Sequence, residues 1–173
     1  MNTRFGPIAD PARDGRPAPD AYWVLPGRLA GGPHPLGAFG DPGVLEAFDV
    51  FVNLTTQHHP ASGDASLPTY DDVVAATGGE VVYRSIPDVS VPFPPDCAET
   101  LDAIDRSLAA GHRVYVHCFG GRGRTGTILG CWLVRHGVPH TRVLAEIDRL
   151  RTGLDGPSPE TETQVAFVTS WAG

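Results

Sequence analysis

The chain has 173 residues, a formal net charge of −7 at pH 7, 41% hydrophobic residues and 19% charged residues. That length fits one domain with a substantial core, and the acidic balance argues against long-range attraction to nucleic acid or an anionic membrane. No apolar run approaches the ~18 residues of a membrane-spanning helix.

Residues 1–20, rich in Pro, Arg and Asp and without the apolar core of a signal peptide, read as a flexible leader before a single domain over 21–173. Tyr22–Leu25 and Arg28–Ala30 are predicted strands joined by the turn pair Pro26-Gly27, with Gly31-Gly32-Pro33 ending the second. Asp41-Pro42 predicts a helix cap and first-turn proline, with the helix running to Phe48. Val50–Leu54 is nearly continuously apolar, as in a strand covered on both faces. A polar loop from Thr56 to Pro68, a weak helix over Thr69–Thr77 broken by Gly78-Gly79, and a strand over Val81–Arg84 follow. Ala98, Leu101, Ile104 and Leu108 recur at helical spacing between Pro95 and Ala110. Val114–His117 is the next strand, and Ile128, Leu129, Trp132 and Leu133 line a helix ending at His136-Gly137. Pro139–Arg151 predicts another helix, and Ser158-Pro159-Glu160 reads as the cap of a last one ending near Trp171. This order predicts an α/β fold, a central mainly parallel sheet flanked by helices, with a helical C-terminal third. Ligands in such sheets bind beyond the carboxyl ends of the strands.

One of those ends carries His117-Cys118-Phe119-Gly120-Gly121-Arg122-Gly123-Arg124-Thr125. A strand, a cysteine, a glycine-rich loop, an arginine and a helix start together build an anion cradle with a nucleophile at its floor. Gly120, Gly121 and Gly123 let backbone N–H groups turn inward, the helix N-terminus attracts negative charge, and Arg124 offers a planar fork for two oxygens of an oxyanion. These groups favour a thiolate at Cys118. The alternative is a buried structural cysteine in a plain strand-to-helix turn.

The segment resembles the His-Cys-x5-Arg-Ser/Thr signature of the cysteine-dependent protein phosphatases, the protein tyrosine and dual-specificity enzymes, at every fixed position. Tyr22–Gly32, Asn53-Leu54-Thr55 and Leu67-Pro68-Thr69-Tyr70 are similar to segments of the compact bacterial dual-specificity type. The resemblance implies in-line attack by Cys118 on phosphorus, with phosphoryl oxygens resting on the amides from Phe119 through Gly120, Gly121, Arg122 and Gly123 to Arg124. It implies Thr125 as a hydroxyl donor to the departing sulfur, unless that side chain merely satisfies backbone. His117 would orient the loop. Asp88, in Ser85-Ile86-Pro87-Asp88-Val89-Ser90-Val91-Pro92, resembles the general acid; Asp96 is its rival but reads better as a helix cap. Gln164 resembles a glutamine that places the hydrolytic water, or is an exposed polar residue of the last helix. At the position of Arg122 a basic residue also occurs in lipid-phosphate relatives of that family, or Arg122 is a solvated loop arginine.

Cys97 and Cys131 complete neither a disulfide framework nor a metal pattern; either could pair with Cys118 under oxidation, and with the missing signal core they predict a reducing cytoplasm. His58-His59 are adjacent rather than spaced for chelation. The expected function is therefore a metal-independent, cofactor-free phosphatase acting on phosphotyrosine, with phosphoserine or phosphothreonine, in proteins or small phosphomonoesters. An inositol- or lipid-phosphate phosphatase, a catalytically silent phosphate-binding module, and a rhodanese-type sulfur transferase are the alternatives.

Overall fold

The computed structural model describes residues 1–56 and 68–172. Most of the loop expected from Thr56 to Pro68, including His58, His59 and Leu67, lies outside them. The frame is a five-stranded sheet of β3 (Tyr22–Leu25), β4 (Leu29–Gly32), β5 (Val50–Asn53), β6 (Glu80–Tyr83) and β7 (Val114–His117), in the order β3-β4-β7-β5-β6. Within this sheet the β3–β4 hairpin is antiparallel, and β4, β7, β5 and β6 run parallel.

Both faces of the sheet are covered, which explains the unbroken apolar runs. On β7, Val114 and Val116 join one core cluster while Tyr115 joins the other; on β5, Val50 and Val52 oppose Phe51 in the same way. This is the two-residue period of a strand. The larger cluster lies under α4 (Pro94–Ala109), α5 (Gly123–Arg135), α6 (His140–Leu150) and α7 (Glu162–Thr169). The smaller takes Val44 and Leu45 of α2 (Val44–Ala47) and Tyr70 and Val74 of α3 (Tyr70–Ala76).

The parallel strands finish level with one another. Gly32 and Asn53 both pair with His117, and Asn53 pairs with Tyr83. The loops leaving them therefore meet at one edge, and Cys118, Pro33-His34, Leu54-Thr55 and the Arg84–Asp88 segment all start there.

Four expectations change. Residues 1–20 are docked rather than free: β1 (Asn2–Thr3), β2 (Gly6–Pro7) and α1 (Pro11–Asp14) lie along the body, Ile8 and Ala9 are buried, and the Ala9 N–H donates to Val24 O at 3.0 Å. Arg149 donates to the Ala9 carbonyl at 2.7 Å and Arg4 meets Asp105 at 2.8 Å. Asp41 does not cap a helix directly; its carboxylate accepts the Gly43 N–H at 2.8 Å in a turn, and the helix starts only at Val44. Gly31 and Gly32 lie inside β4 because no Cβ fits: one on Gly32 would run into the Tyr115 hydroxyl. The last helix is capped by Thr161 and Gln164 as a reciprocal box, not by Ser158.

Candidate active site

Cys118 follows β7 and is 3% exposed. The backbone then turns through Gly121, whose φ is +69°. A Cβ there would collide with the main chain of Gly32 and Pro33, so the loop can press against the β4 exit only because the residue is glycine. Helix α5 begins at Gly123, and its N-cap, Arg122, supplies no side-chain acceptor to the first turn. The N-terminal amides of a 13-residue helix thus stay available to an anion.

What aims the loop amides is a set of donors that hold its carbonyls. His117 Nδ1 lies 3.4 Å from Cys118 O, the His34 N–H donates to Phe119 O at 3.1 Å, Arg151 to Gly121 O at 3.4 Å and Ser158 Oγ to Arg122 O at 2.9 Å. In a trans peptide the following N–H points opposite to the carbonyl. Pulling these four carbonyls toward the protein body therefore turns the amides of Phe119, Gly120, Arg122 and Gly123 the other way.

Above this floor lies a cavity of about 270 Å³ lined by Cys118, Arg124, Asp88, Gln164, Arg122 and Glu160, among others, with exposed Phe39, Phe119 and Val89 also in its wall. The Arg124 guanidinium is 6% exposed and spans two contacts, Asp88 Oδ1 at 2.8 Å and Ile86 O at 3.2 Å. Asp88 itself is 78% exposed. It sits in a turn closed by Ser90 N–H on Pro87 O at 3.2 Å. The next residue, Val89, holds φ at +53°, unusual for a β-branched residue and unfavourable by about 1–2 kcal/mol. Asp96, the rival acid, lies in the first turn of α4 and outside this cavity, lining one with Tyr83 and Glu99.

Beneath the cysteine, His117, Tyr70 and His34 form a buried cluster. The Tyr70 hydroxyl lies 3.0 Å from His117 Nε2, and His34 sits edge-on to His117 with ring centroids 4.8 Å apart. Burial first, and His34 next, hold the His117 imidazole well below 6.5, so it is neutral near pH 7. Thr125 is fully buried, and its hydroxyl has no hydrogen-bond partner among the described residues. Gln164 is also fully buried, which removes the reading of an exposed helix residue. Arg122 meets Glu160 at 3.2 Å rather than standing free in solvent. Cys97, Cys118 and Cys131 are all free and buried, and the neighbouring Cys97 together with burial pushes the Cys131 thiol up. Among the described residues no three His, Cys, Asp or Glu side chains form a group able to hold a metal ion.

Sequence reasoning missed His34, Tyr70, Arg151, Ser158 and Glu160. Only Tyr70 stood in a segment singled out by resemblance. The others act through contacts spanning tens of residues and carry no local signal.

Against known proteins, the model of the polymorphic toxin system DSP-PTPase phosphatase, Tc-R-P, matches residues 47–138. The crystal structure of Tk-PTP in the active form superposes with a TM-score of 0.69 at 30% identity, covering 88% of this chain and 96% of that one. Dual specificity protein phosphatase 1B of Arabidopsis thaliana is 34% identical over 96 residues, 55% of this chain and 54% of that protein. PTPMT1 in complex with PI(5)P shares the fold, with a TM-score of 0.64 at 18% identity over 84% of this chain and 90% of that one. The chain spans about half the length of three of the curated relatives it matches and 19% of a fourth, dual specificity protein phosphatase CDC14AB of Danio rerio. Signature loop, sheet order and these likenesses agree: the chain belongs to the DSP-PTPase family of the cysteine-dependent phosphatases.

Proposed function

We propose that the chain hydrolyses phosphotyrosine, with phosphoserine and phosphothreonine, through a phosphocysteine intermediate on Cys118. The observation that carries this reading is the convergence on one cavity of Cys118, the loop whose carbonyls are held toward the protein body, and Arg124 within 2.8 Å of Asp88. The phosphate dianion takes the place of the Asp88 carboxylate on the Arg124 fork, with its remaining oxygens on the loop amides. Cys118 Sγ then attacks phosphorus, an S–P bond forms, and the ester P–O bond breaks as protonated Asp88 gives its proton to the leaving oxygen. In the second step water attacks phosphorus, Asp88 takes the water proton, and the S–P bond breaks to return the thiolate. The unpartnered Thr125 hydroxyl is placed on the helix turn next to the loop, and in this reading it steadies that sulfur.

A second reading, an inositol- or lipid-phosphate substrate, is favoured by Arg122 in the cavity wall and by the PI(5)P bound to PTPMT1. Glu160 opposite Arg122, and Phe119 where a second cation would stand, weigh against it. The test is release of phosphate from an aryl phosphate in the presence of a chelator. The wild type should turn over and Cys118→Ser should not; Asp88→Asn should slow turnover about 10²-fold or more while phosphate still binds. Activity retained in Cys118→Ser overturns the mechanism. Tight capture of a phosphopeptide without release revives the silent module, and a preference for phosphoinositides over phosphotyrosine peptides selects the second reading.

A further inference from the structure

We infer that Gln164 is a positioning residue: it holds the Asp88 turn shut and so serves the first chemical step, not the placing of water in the second. The inference rests on the reading of Asp88 as proton donor. Its ground is how the carboxamide is used. Gln164 Oε1 accepts the backbone N–H groups of Glu160 at 3.1 Å and Thr161 at 3.2 Å. An amide oxygen has two lone pairs, so its accepting capacity is spent on the cap of α7. Nε2 donates to Ser90 O at 3.0 Å. The three contacts also fix which end is oxygen, since two faces meet donors and the third meets a carbonyl.

Ser90 closes the turn that carries Asp88. Its N–H is tied to Pro87 O at 3.2 Å and its carbonyl to Gln164, while Arg124 holds Ile86 O at 3.2 Å on the other side. Asp88 is thus bracketed by α5 before it and α7 after it, with the unfavourable φ of Val89 lying between the ties. On its other flank the carboxamide lies against the phosphate loop: a Cβ on Gly123 would come 2.9 Å from Oε1 and 3.0 Å from Nε2. One buried side chain therefore joins the N-terminal cap of α7, the phosphate loop and the acid turn. Its Oε1 has no lone pair left to accept a hydrogen bond from an attacking water, and one of its two Nε2 hydrogens is committed to Ser90 O.

The separating variant is Gln164→Glu. A carboxylate keeps the capping-box contact from the Thr161 N–H and the further one from the Glu160 N–H but has no hydrogen to give Ser90 O, so the turn loosens while the helix stays capped. Gln164→Met, of similar volume and without polar atoms, is the second variant if the first does not fold. Steady-state and rapid-mixing kinetics on a phosphotyrosine peptide and on 4-nitrophenyl phosphate then read the step affected. A tyrosine leaving group needs the acid and a nitrophenolate needs it far less. The expected result is about a tenfold loss on the peptide, a fraction of the ~10²–10⁴ a general acid supplies, with a loss within about twofold on the nitrophenyl ester. In an Asp88→Asn background the Gln164 change should add nothing. A new burst with nitrophenyl phosphate, marking slow phosphocysteine breakdown, overturns the inference in favour of water placement. An equal loss on both substrates reduces Gln164 to a structural role, and no loss on either also overturns the inference. If Asp88→Asn alone leaves peptide turnover unchanged, the acid assignment fails first and the inference falls with it.

Discussion

Replacing Tyr70 with phenylalanine removes one oxygen from a buried chain that ends beneath Cys118. A carbonyl only accepts, so His117 must carry its proton on Nδ1 to bond Cys118 O, and its Nε2 is then an acceptor. The Tyr70 hydroxyl, 3.0 Å away, donates to it; burial pushes that phenol far above its ordinary range, so it keeps its proton. In Tyr70→Phe the ring contact with His117 can persist, at 5.5 Å between centroids. Nε2 is left without a donor in a site where the two residues are 3% and 0% exposed. An unsatisfied buried acceptor costs about 1–3 kcal/mol. At ~2–4 °C per kcal/mol for a domain of this size, the expected fall in Tm is roughly 2–12 °C, and urea unfolding should show a lower midpoint at unchanged slope. Nitrogen NMR of the imidazole gives the second reading: the Nδ1–H tautomer in the wild type, and a mixture in the variant. A midpoint within about 0.5 kcal/mol of wild type would refute the donor role, as would an Nε2–H tautomer in the wild type.

His117 also makes a pH prediction. Its folded value lies well below 6.5, so the unfolded chain binds the extra proton, and its contribution to stability is present above about pH 6.5 and lost as pH falls below it. The loss approaches ~1.4 kcal/mol per pH unit and should vanish in a folded His117 variant. Asp49 acts lower on the scale. The Arg113 hydrogen bonds hold it at about 2 against an ordinary 3.8, so its contribution is lost between about pH 4 and pH 2. The full shift corresponds to roughly 2 kcal/mol; side chains 37% and 44% exposed reduce that to about 1 kcal/mol, which Asp49→Asn should remove at neutral pH. Gly32→Ala forces a methyl into Tyr115, with the ring Cζ at 3.0 Å and the Ala21 methyl at 2.9 Å. About 1–3 kcal/mol of destabilisation is expected by calorimetry, with weaker phosphate binding because the Tyr115 hydroxyl holds Pro33 O at 3.1 Å, beside the loop anchor His34.

Legibility in this chain tracks how local the deciding contact is. Val114–His117 reads as a buried strand because both of its faces meet core, so alternation disappears and an apolar run remains. The phosphate loop reads because glycine at positions 120, 121 and 123 is a statement about backbone, written in residue type. The cap of α7 is equally local: Thr161-x-x-Gln164 is a capping box, but Ser158-Pro159-Glu160 offers a competing cap pattern just upstream. Ser158 is spent instead on Arg122 O. The first twenty residues depart from expectation for the opposite reason. Their composition is that of a free arm, whereas Ala9 is held by β3 and by Arg149, 140 positions away in the chain. No composition encodes that.

The same distinction separates the signature from the site. Glycines permit the loop amides to face a phosphate but do not compel them, since a glycine peptide can flip at little steric cost. The direction comes from donors at positions 34, 117, 151 and 158, one after β4, one at the end of β7 and two in the C-terminal third. Each holds a different carbonyl, so the ring is assembled only when the sheet and the last helices are in place. Arg151 directly follows α6 and Ser158 lies in the segment leading to α7, and both helices pack on α5. The proposed nucleophile, Cys118, is local in sequence, and the orientation of the amides around it is a property of the whole fold.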